Sequence, residues 1–236
     1  MREDKRRQKK TRMDSSSWWA LLLDLDGTLI RTDNLHYSLW TEILSSYGVT
    51  LTQEQYDTRI AGRSDAAIWA EWGVGTAEER AWWTEWKEQA FLRRIQETVP
   101  VPGGKKLIQD WINAGQWVGV VTNSNEKTAL ALLQRLGIEH LLDVWITSDS
   151  GCAPKPSPEP YQKALYELGI PVERCIIVED SEIGLASAQA LLASHASSHL
   201  FQMCSSSSVP IQDGPFLRIT DFHDVLLTPP PYLFRS

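Results

Sequence analysis

Two hydrophobic rhythms alternate along this chain. Short, nearly continuous apolar runs occur at residues 19–25 (WALLLDL), 117–122 (WVGVVT), 144–147 (VWIT) and 175–179 (CIIVE), with a weaker one at 199–204. Between them lie stretches whose apolar residues recur every three or four positions, at 105–114, 126–136, 158–168 and 182–193. Ala129, Leu132, Leu133 and Leu136 mark one such face. The first rhythm reads as buried strands and the second as amphipathic helices. Strands that are apolar on both faces, with helices between them, predict a parallel sheet covered on both sides, the α/β doubly wound class. Ligands of such sheets bind beyond the carboxyl ends of the strands.

One block breaks the alternation. From 33 to 98 there is no convincing strand, and the pattern predicts helices over 35–47, 53–59, 64–71 and 77–97. The block follows the first strand and ends at Val99-Pro-Val-Pro-Gly-Gly104, a signal for a sharp change of chain direction. The expected organisation is therefore a basic, disordered tail over 1–17, an α/β core from 18–32 and 99–236, and an inserted helical subdomain over 33–98. At 236 residues the chain is one domain with a large insertion, or two small ones, and long enough to bury a core without disulfides.

Charge sharpens this division. The chain carries a net −7, but residues 1–12 hold seven Lys/Arg against Glu3 and Asp4, so the remainder stands at −12. So acidic a body is a poor nucleic-acid surface, and only the tail could bind a polyanion. The three cysteines show no C-x-x-C spacing and predict neither a disulfide framework nor a zinc site, which fits a cytoplasmic protein. The apolar run at 18–23 is too short for a signal segment or a membrane span. Tryptophan is abundant, 11 residues, and six of them lie in the insertion. Trp82 and Trp86 are four apart and Trp69 and Trp72 three apart, so each pair can share a helix face and is expected to pack a core in preference to stacking on or contacting a sugar ring.

The chemistry sits at the strand ends. The first strand runs into Asp24-Leu25-Asp26-Gly27-Thr28, the second into Thr122-Asn123-Ser124 and the fourth into Glu179-Asp180-Ser181; a loop after the third carries Lys155-Pro156-Ser157-Pro158. In isolation each has an ordinary explanation. A D-x-D can close a strand, Thr-Asn-Ser can start a helix, Glu179-Asp180 can cap the helix near Glu182, and Lys155 can be a solvated loop residue. In a parallel sheet, however, all four meet at one edge and gather Asp24, Asp26, Glu179 and Asp180 around a point. Four carboxylates share a pocket only if a cation neutralises them or some take protons. Oxygen-only ligands select a hard cation such as Mg²⁺, and Lys155 with nearby hydroxyl and amide groups can hold an anion. The expectation is a Mg²⁺-dependent phosphate site.

These segments, D-L-D-G-T-L, V-V-T-N-S, K-P-S-P-E-P-Y and I-V-E-D-S-E-I-G-L-A-S-A, resemble the four ordered motifs of the haloacid dehalogenase superfamily. The insertion resembles the α-helical cap of its beta-phosphoglucomutase and phosphoglycolate phosphatase branches. The resemblance implies Asp24 as nucleophile, Asp26 as general acid/base, Thr122 and Asn123 as phosphate ligands, and Lys155 as neutralising cation. It implies Asp24, the Asp26 backbone carbonyl and Asp180 as Mg²⁺ ligands, with Glu179 acting through water or hydrogen bonds. His36 and Arg63 resemble cap positions facing the active site, although a surface His and a helix-start Arg explain them equally well. The implied activity is hydrolysis of a small phosphorylated metabolite, such as a sugar phosphate, through an aspartyl-phosphate by a monomer. A phosphohexomutase would use the same residues, and a non-catalytic phospholigand adaptor is the reading from another class. A Schiff-base phosphonate hydrolase would need a cap lysine, and 33–99 offers only Lys87. After Ala186-Ser187-Ala188 the chain departs from the family pattern, reading Leu191-Leu192-Ala193-Ser194-His195.

Overall fold

The computed structural model describes residues 18–193, 199–204 and 217–223. Six parallel strands form one sheet in the order β5-β4-β1-β6-β7-β8: β1 (Ala20–Leu23), β4 (Trp117–Val121), β5 (Val144–Ile146), β6 (Cys175–Glu179), β7 (His199–Met203) and β8 (Leu217–Ile219). With β1 central, Leu23 is level with Val120 on one side and Val178 on the other. The polar segments that follow these three strands therefore emerge side by side.

Side chains alternate across the sheet and divide the core in two. Leu21, Leu23, Val118, Val120, Ile176 and Val178 face one side. There they meet Leu107, Ile108 and Trp111 of α5 (Gly104–Asn113) and Ala129, Leu132 and Leu133 of α6 (Glu126–Leu136). Ala20, Leu22, Val121, Cys175 and Ile177 face the other, against Tyr161, Ala164 and Leu165 of α7 (Glu159–Leu168) and Leu185 and Ala188 of α8 (Glu182–Leu192). The doubly wound α/β architecture follows from this two-sided burial, as the near-continuous apolar strands require.

The helical insertion comprises α1 (Asp33–Ser45), α2 (Gln53–Arg59), α3 (Asp65–Trp72) and α4 (Ala77–Arg93). Thr52 and Thr76 start α2 and α4 with capping boxes closed by Gln55 and Glu79. The insertion has its own apolar cluster, including Trp40, Ile43, Leu44, Tyr56, Ile68 and Trp69. Its neck is a two-stranded antiparallel ribbon, β2 (Ile30–Arg31) against β3 (Val99–Pro100). Two residues per strand are too few to leave a period in the sequence.

Several expectations need correction. β1 stops at Leu23 rather than residue 25, because the chain folds back at once through Leu29 N to Leu25 O and Gly27 N to Ile30 O, both 2.9 Å. The helix expected over 77–97 ends at Arg93 and gives way to a 3₁₀ turn at Ile95–Glu97. β8 was not anticipated at all; three residues carry too little pattern. Trp82 and Trp86 do not share a buried face: Trp82 is 57% exposed and stacks edge-on against Trp83 at 4.7 Å, while Trp83 meets Trp86 at 5.1 Å. Trp69 is buried, T-shaped to Trp40 at 5.2 Å, and Trp72 lies beneath the Arg59 guanidinium. The helix after Thr-Asn-Ser is capped by Asn125, and α8 by Ser181 rather than by Glu179-Asp180, which frees those groups for other work. The basic tail, the Ser205–208 run and the departure at Ser194-His195 lie outside the described residues. Among the described residues no helix is long and apolar enough to cross a membrane.

Trp111, fully buried between α5 and the sheet, is the largest single packing contribution of that layer. Trp111→Ala is expected to cost about 3–5 kcal/mol, read in urea unfolding as a lower midpoint with an unchanged slope.

Candidate active site

The ends of β1, β4 and β6 converge on Lys155. Its ammonium, almost fully buried, donates to Asp24 Oδ1 and the Val121 carbonyl, each at 2.7 Å, and to Glu179 Oε1. The Tyr161 hydroxyl, from the inner face of α7, donates to that same Glu179 oxygen. Lys155 is thus not a solvated loop residue. Asn123 holds its backbone, accepting from Lys155 N at 3.0 Å and donating to Lys155 O at 3.2 Å.

Glycines make room for the acids. Gly27 has φ +84°, and a Cβ there would lie 1.9 Å from Asp180 Oδ2. Asp180 accepts from Thr28 Oγ1 at 2.9 Å. A Cβ on Gly184, in the first turn of α8, would lie 1.9 Å from Glu179 Oε2, a buried oxygen without a hydrogen-bond donor among the described residues.

Asp24, Glu179 and Asp180 each bring a carboxylate oxygen within 4.8 Å of the others. Burial raises Asp24 to about 8, with Lys155 opposing and Glu179 and Asp26 adding to the rise. Burial, then Asp24, also raises Asp180. One lysine cannot balance these charges at neutral pH, so the trio fits a hard divalent cation in its donor atoms and in its unmet charge.

Asp26 is built differently. Its side chain turns away from the trio and accepts from Ser124 Oγ at 2.7 Å, Thr32 Oγ1 at 2.9 Å and Thr122 Oγ1 at 3.4 Å. His36 Nε2 stands 3.5 Å from Asp26 Oδ1, with its ring stacked on Phe91. Burial alone would raise Asp26, but His36, Ser124 and Thr32 outweigh it and lower its pKa. These contacts leave the Asp26 side chain outside the acidic trio.

The insertion roofs these residues and leaves a cleft of about 1550 Å³ between itself and the sheet edge. Asn123 Nδ2 reaches across to the Gly62 carbonyl at 3.0 Å, and Glu88 of α4 accepts from Asn125 at 3.0 Å and from Lys127. Arg63 lines the cleft, and its guanidinium makes no hydrogen bond or ion pair among the described residues. The expected residues therefore gather in one place, His36 beside Asp26 and Arg63 on the roof. Sequence reasoning did not assign roles to Ser124 and Tyr161, although both lie within the quoted motifs, nor to Thr32, which carries no local signal. It also missed that Lys87 turns inward to pair with Asp65.

Known proteins resemble this chain in sequence and in fold. Residues 21–195 match the model of the haloacid dehalogenase-like hydrolases. The fructose-1-phosphate phosphatase YqaB of Escherichia coli is 25% identical over 178 residues, 72% of this chain and 91% of that protein. The N-acetylmuramic acid 6-phosphate phosphatase of Pseudomonas aeruginosa is 30% identical over 167 residues, 68% of this chain and 73% of that protein. The crystal structure of a CbbY mutant from Rhodobacter sphaeroides in complex with xylulose-(1,5)bisphosphate shares the fold. Its TM-score is 0.75, its identity 23%, and the match covers 87% of this chain and 95% of that one.

Two outcomes follow from the buried acids. Because the folded value of Asp24, about 8, lies above its ordinary 3.8, the folded state holds the extra proton between those limits. The contribution of Asp24 to stability is then lost as pH rises across that window. In chelator, Tm of the wild type is expected to fall relative to Asp24→Asn as pH goes from 4 to 8, and a divalent cation should cancel the loss. Gly184→Ala, which drives a methyl into the pinned Glu179 carboxylate, is expected to cost about 1–3 kcal/mol in thermal unfolding.

Proposed function

The chain belongs to the haloacid dehalogenase-like hydrolase family, and from that premise we propose that it is a phosphatase of small phosphorylated metabolites, sugar phosphates foremost. The reaction runs through an aspartyl-phosphate and depends on Mg²⁺. The single observation that supports this most is the opposite environment of two carboxylates two residues apart. Asp24 points to Lys155 and the acidic trio, Asp26 to hydroxyls and His36.

In the first step Asp24 attacks phosphorus as the ester P–O bond breaks, and Asp26 delivers a proton to the departing oxygen. In the second, Asp26 takes a proton from water as that water attacks phosphorus, which breaks the bond to Asp24 and releases inorganic phosphate. Lys155 balances charge on the phosphoryl oxygens while tying Asp24 and Glu179 in place. Thr122 and Asn123, at the end of β4, bind the phosphoryl group, and Asn123 also positions Lys155 and the Gly62 edge of the roof. Asp24, Asp180 and the Asp26 carbonyl would hold Mg²⁺, with Glu179 behind them, and the ion neutralises the transferring group when bound. His36 favours the ionised form of Asp26 between the two steps, where it must take a proton from water, and Arg63 meets the substrate from the roof.

The relatives named as phosphatases of fructose 1-phosphate and N-acetylmuramic acid 6-phosphate support a phosphorylated sugar as the substrate class. The three cysteines are unpaired, which supports a reducing, cytoplasmic setting for the enzyme. On this reading it acts as a monomer on a small phosphorylated metabolite, and only the basic tail 1–12 is left to meet a polyanion.

Asp24→Asn is expected to abolish phosphate release while leaving the far-UV spectrum unchanged; retained turnover would overturn the assignment. Glucose 1-phosphate separates hydrolysis from mutase chemistry, with free phosphate expected and glucose 6-phosphate pointing to the rival reading. Removing His36 relieves a downward influence on Asp26, so His36→Asn should move the alkaline limb of kcat/KM to higher pH for alkyl phosphates. Aryl phosphates, whose leaving group needs less protonation, should show a smaller displacement.

A further inference from the structure

The whole cleft, phosphate end included, has an unusual charge balance. Eleven carboxylates line it against four Lys/Arg side chains. Three of the four cations are already committed. Lys155 is held by Asp24 and Glu179, Lys127 by Glu88, and Lys87 by Asp65 at 2.7 Å. Only Arg63 makes no ion pair among the described residues.

Lys87 is the most informative of these. It projects from α4 into the cleft, mostly buried, with its ammonium 5.3 Å from the centre of the Trp40 indole and Phe91 one turn further along the helix. Asp65, at the start of α3, also lines the cleft and is more exposed than its partner. The pair thus offers a donor and an acceptor side by side with no net charge, the arrangement that suits a hydroxyl group. Asp57 on the roof and Asp149 on the core side also line the cleft, so a second anion there would meet like charges, with the Arg63 guanidinium as the one unpaired member of the four cations against them.

Resting on the phosphatase reading, we propose that the distal half of the cleft selects an uncharged, hydroxyl-bearing group and excludes a second anionic one, with the Lys87–Asp65 pair as the element that reads the hydroxyls. The substrate class is then a polyol or sugar monophosphate, not a bisphosphate or a phosphorylated sugar acid. Selectivity of this kind comes from a repulsive element as much as from an attractive one.

The test uses the full chain with Mg²⁺ and two substrates of equal length, sorbitol 6-phosphate and 6-phosphogluconate, which differ at the distal end by one carboxylate. The expected kcat/KM favours sorbitol 6-phosphate by at least about tenfold, chiefly through KM, and the gap narrows as salt rises. Asp65→Asn frees the Lys87 charge, so it should lower the ratio of the two KM values several-fold in favour of the acid. The wild-type comparison decides the matter alone if that variant fails to fold. Equal or inverted preference in the wild type, or an unchanged KM ratio in a folded Asp65→Asn, overturns the inference while leaving the phosphatase reading intact. Release of phosphate from none of these substrates, nor from p-nitrophenyl phosphate, overturns both.

Discussion

Everything at the sheet edge depends on one buried ammonium. Lys155 touches a carboxylate after β1, a carbonyl at the end of β4 and a carboxylate at the end of β6, so a single side chain ties three neighbouring strands together at their carboxyl ends. A buried cation is costly unless paired, and removing it would leave two buried carboxylates facing each other. The same contacts bring the acids closer than their charge alone would allow. The residual negative charge suits this edge to a cation.

Geometry then separates two aspartates that chemistry makes identical. Asp24 lies with the lysine and other acids, and burial lifts its pKa; Asp26 lies among hydroxyls beside His36, and these hold its pKa down. The turn through Gly27, whose φ of +84° most residues avoid, creates that divergence and admits the Asp180 carboxylate where a Cβ would stand. Gly184 does the same for Glu179. The roof is joined to the edge by short polar contacts, Asn123 to Gly62 and Asn125 with Lys127 to Glu88. The sheet edge and the roof therefore enclose one cleft.

How much of this was legible in the sequence depends on the kind of residue. Apolar runs revealed β4 and β6 closely, since strands buried on both faces leave no polar positions to confuse the pattern. Asp24, Asp26, Lys155 and Asp180 stood out because each interrupts or follows such a run. β2, β3 and β8 were invisible, being two or three residues long. The tryptophan pairs were misjudged because spacing places residues on a helix face but does not say what that face meets: Trp82 points to solvent although Trp83 and Trp86 pack. Lys87 was read only for the chemistry it lacked, since its partner Asp65 lies 22 residues away and on another helix.

The sequence by itself determined the order of elements, the place of the helical insertion and the polar groups that stand at the strand ends, because these follow from local periodicity and from polar residues that an apolar strand would not otherwise carry. The tertiary structure alone decided which acid faces the lysine and which the histidine, where glycine must yield space to a carboxylate, and which cations in the cleft are already neutralised. Those are properties of distances between residues far apart in the chain. Electrostatic pairing and burial depend on such distances, and no spacing along one dimension encodes them.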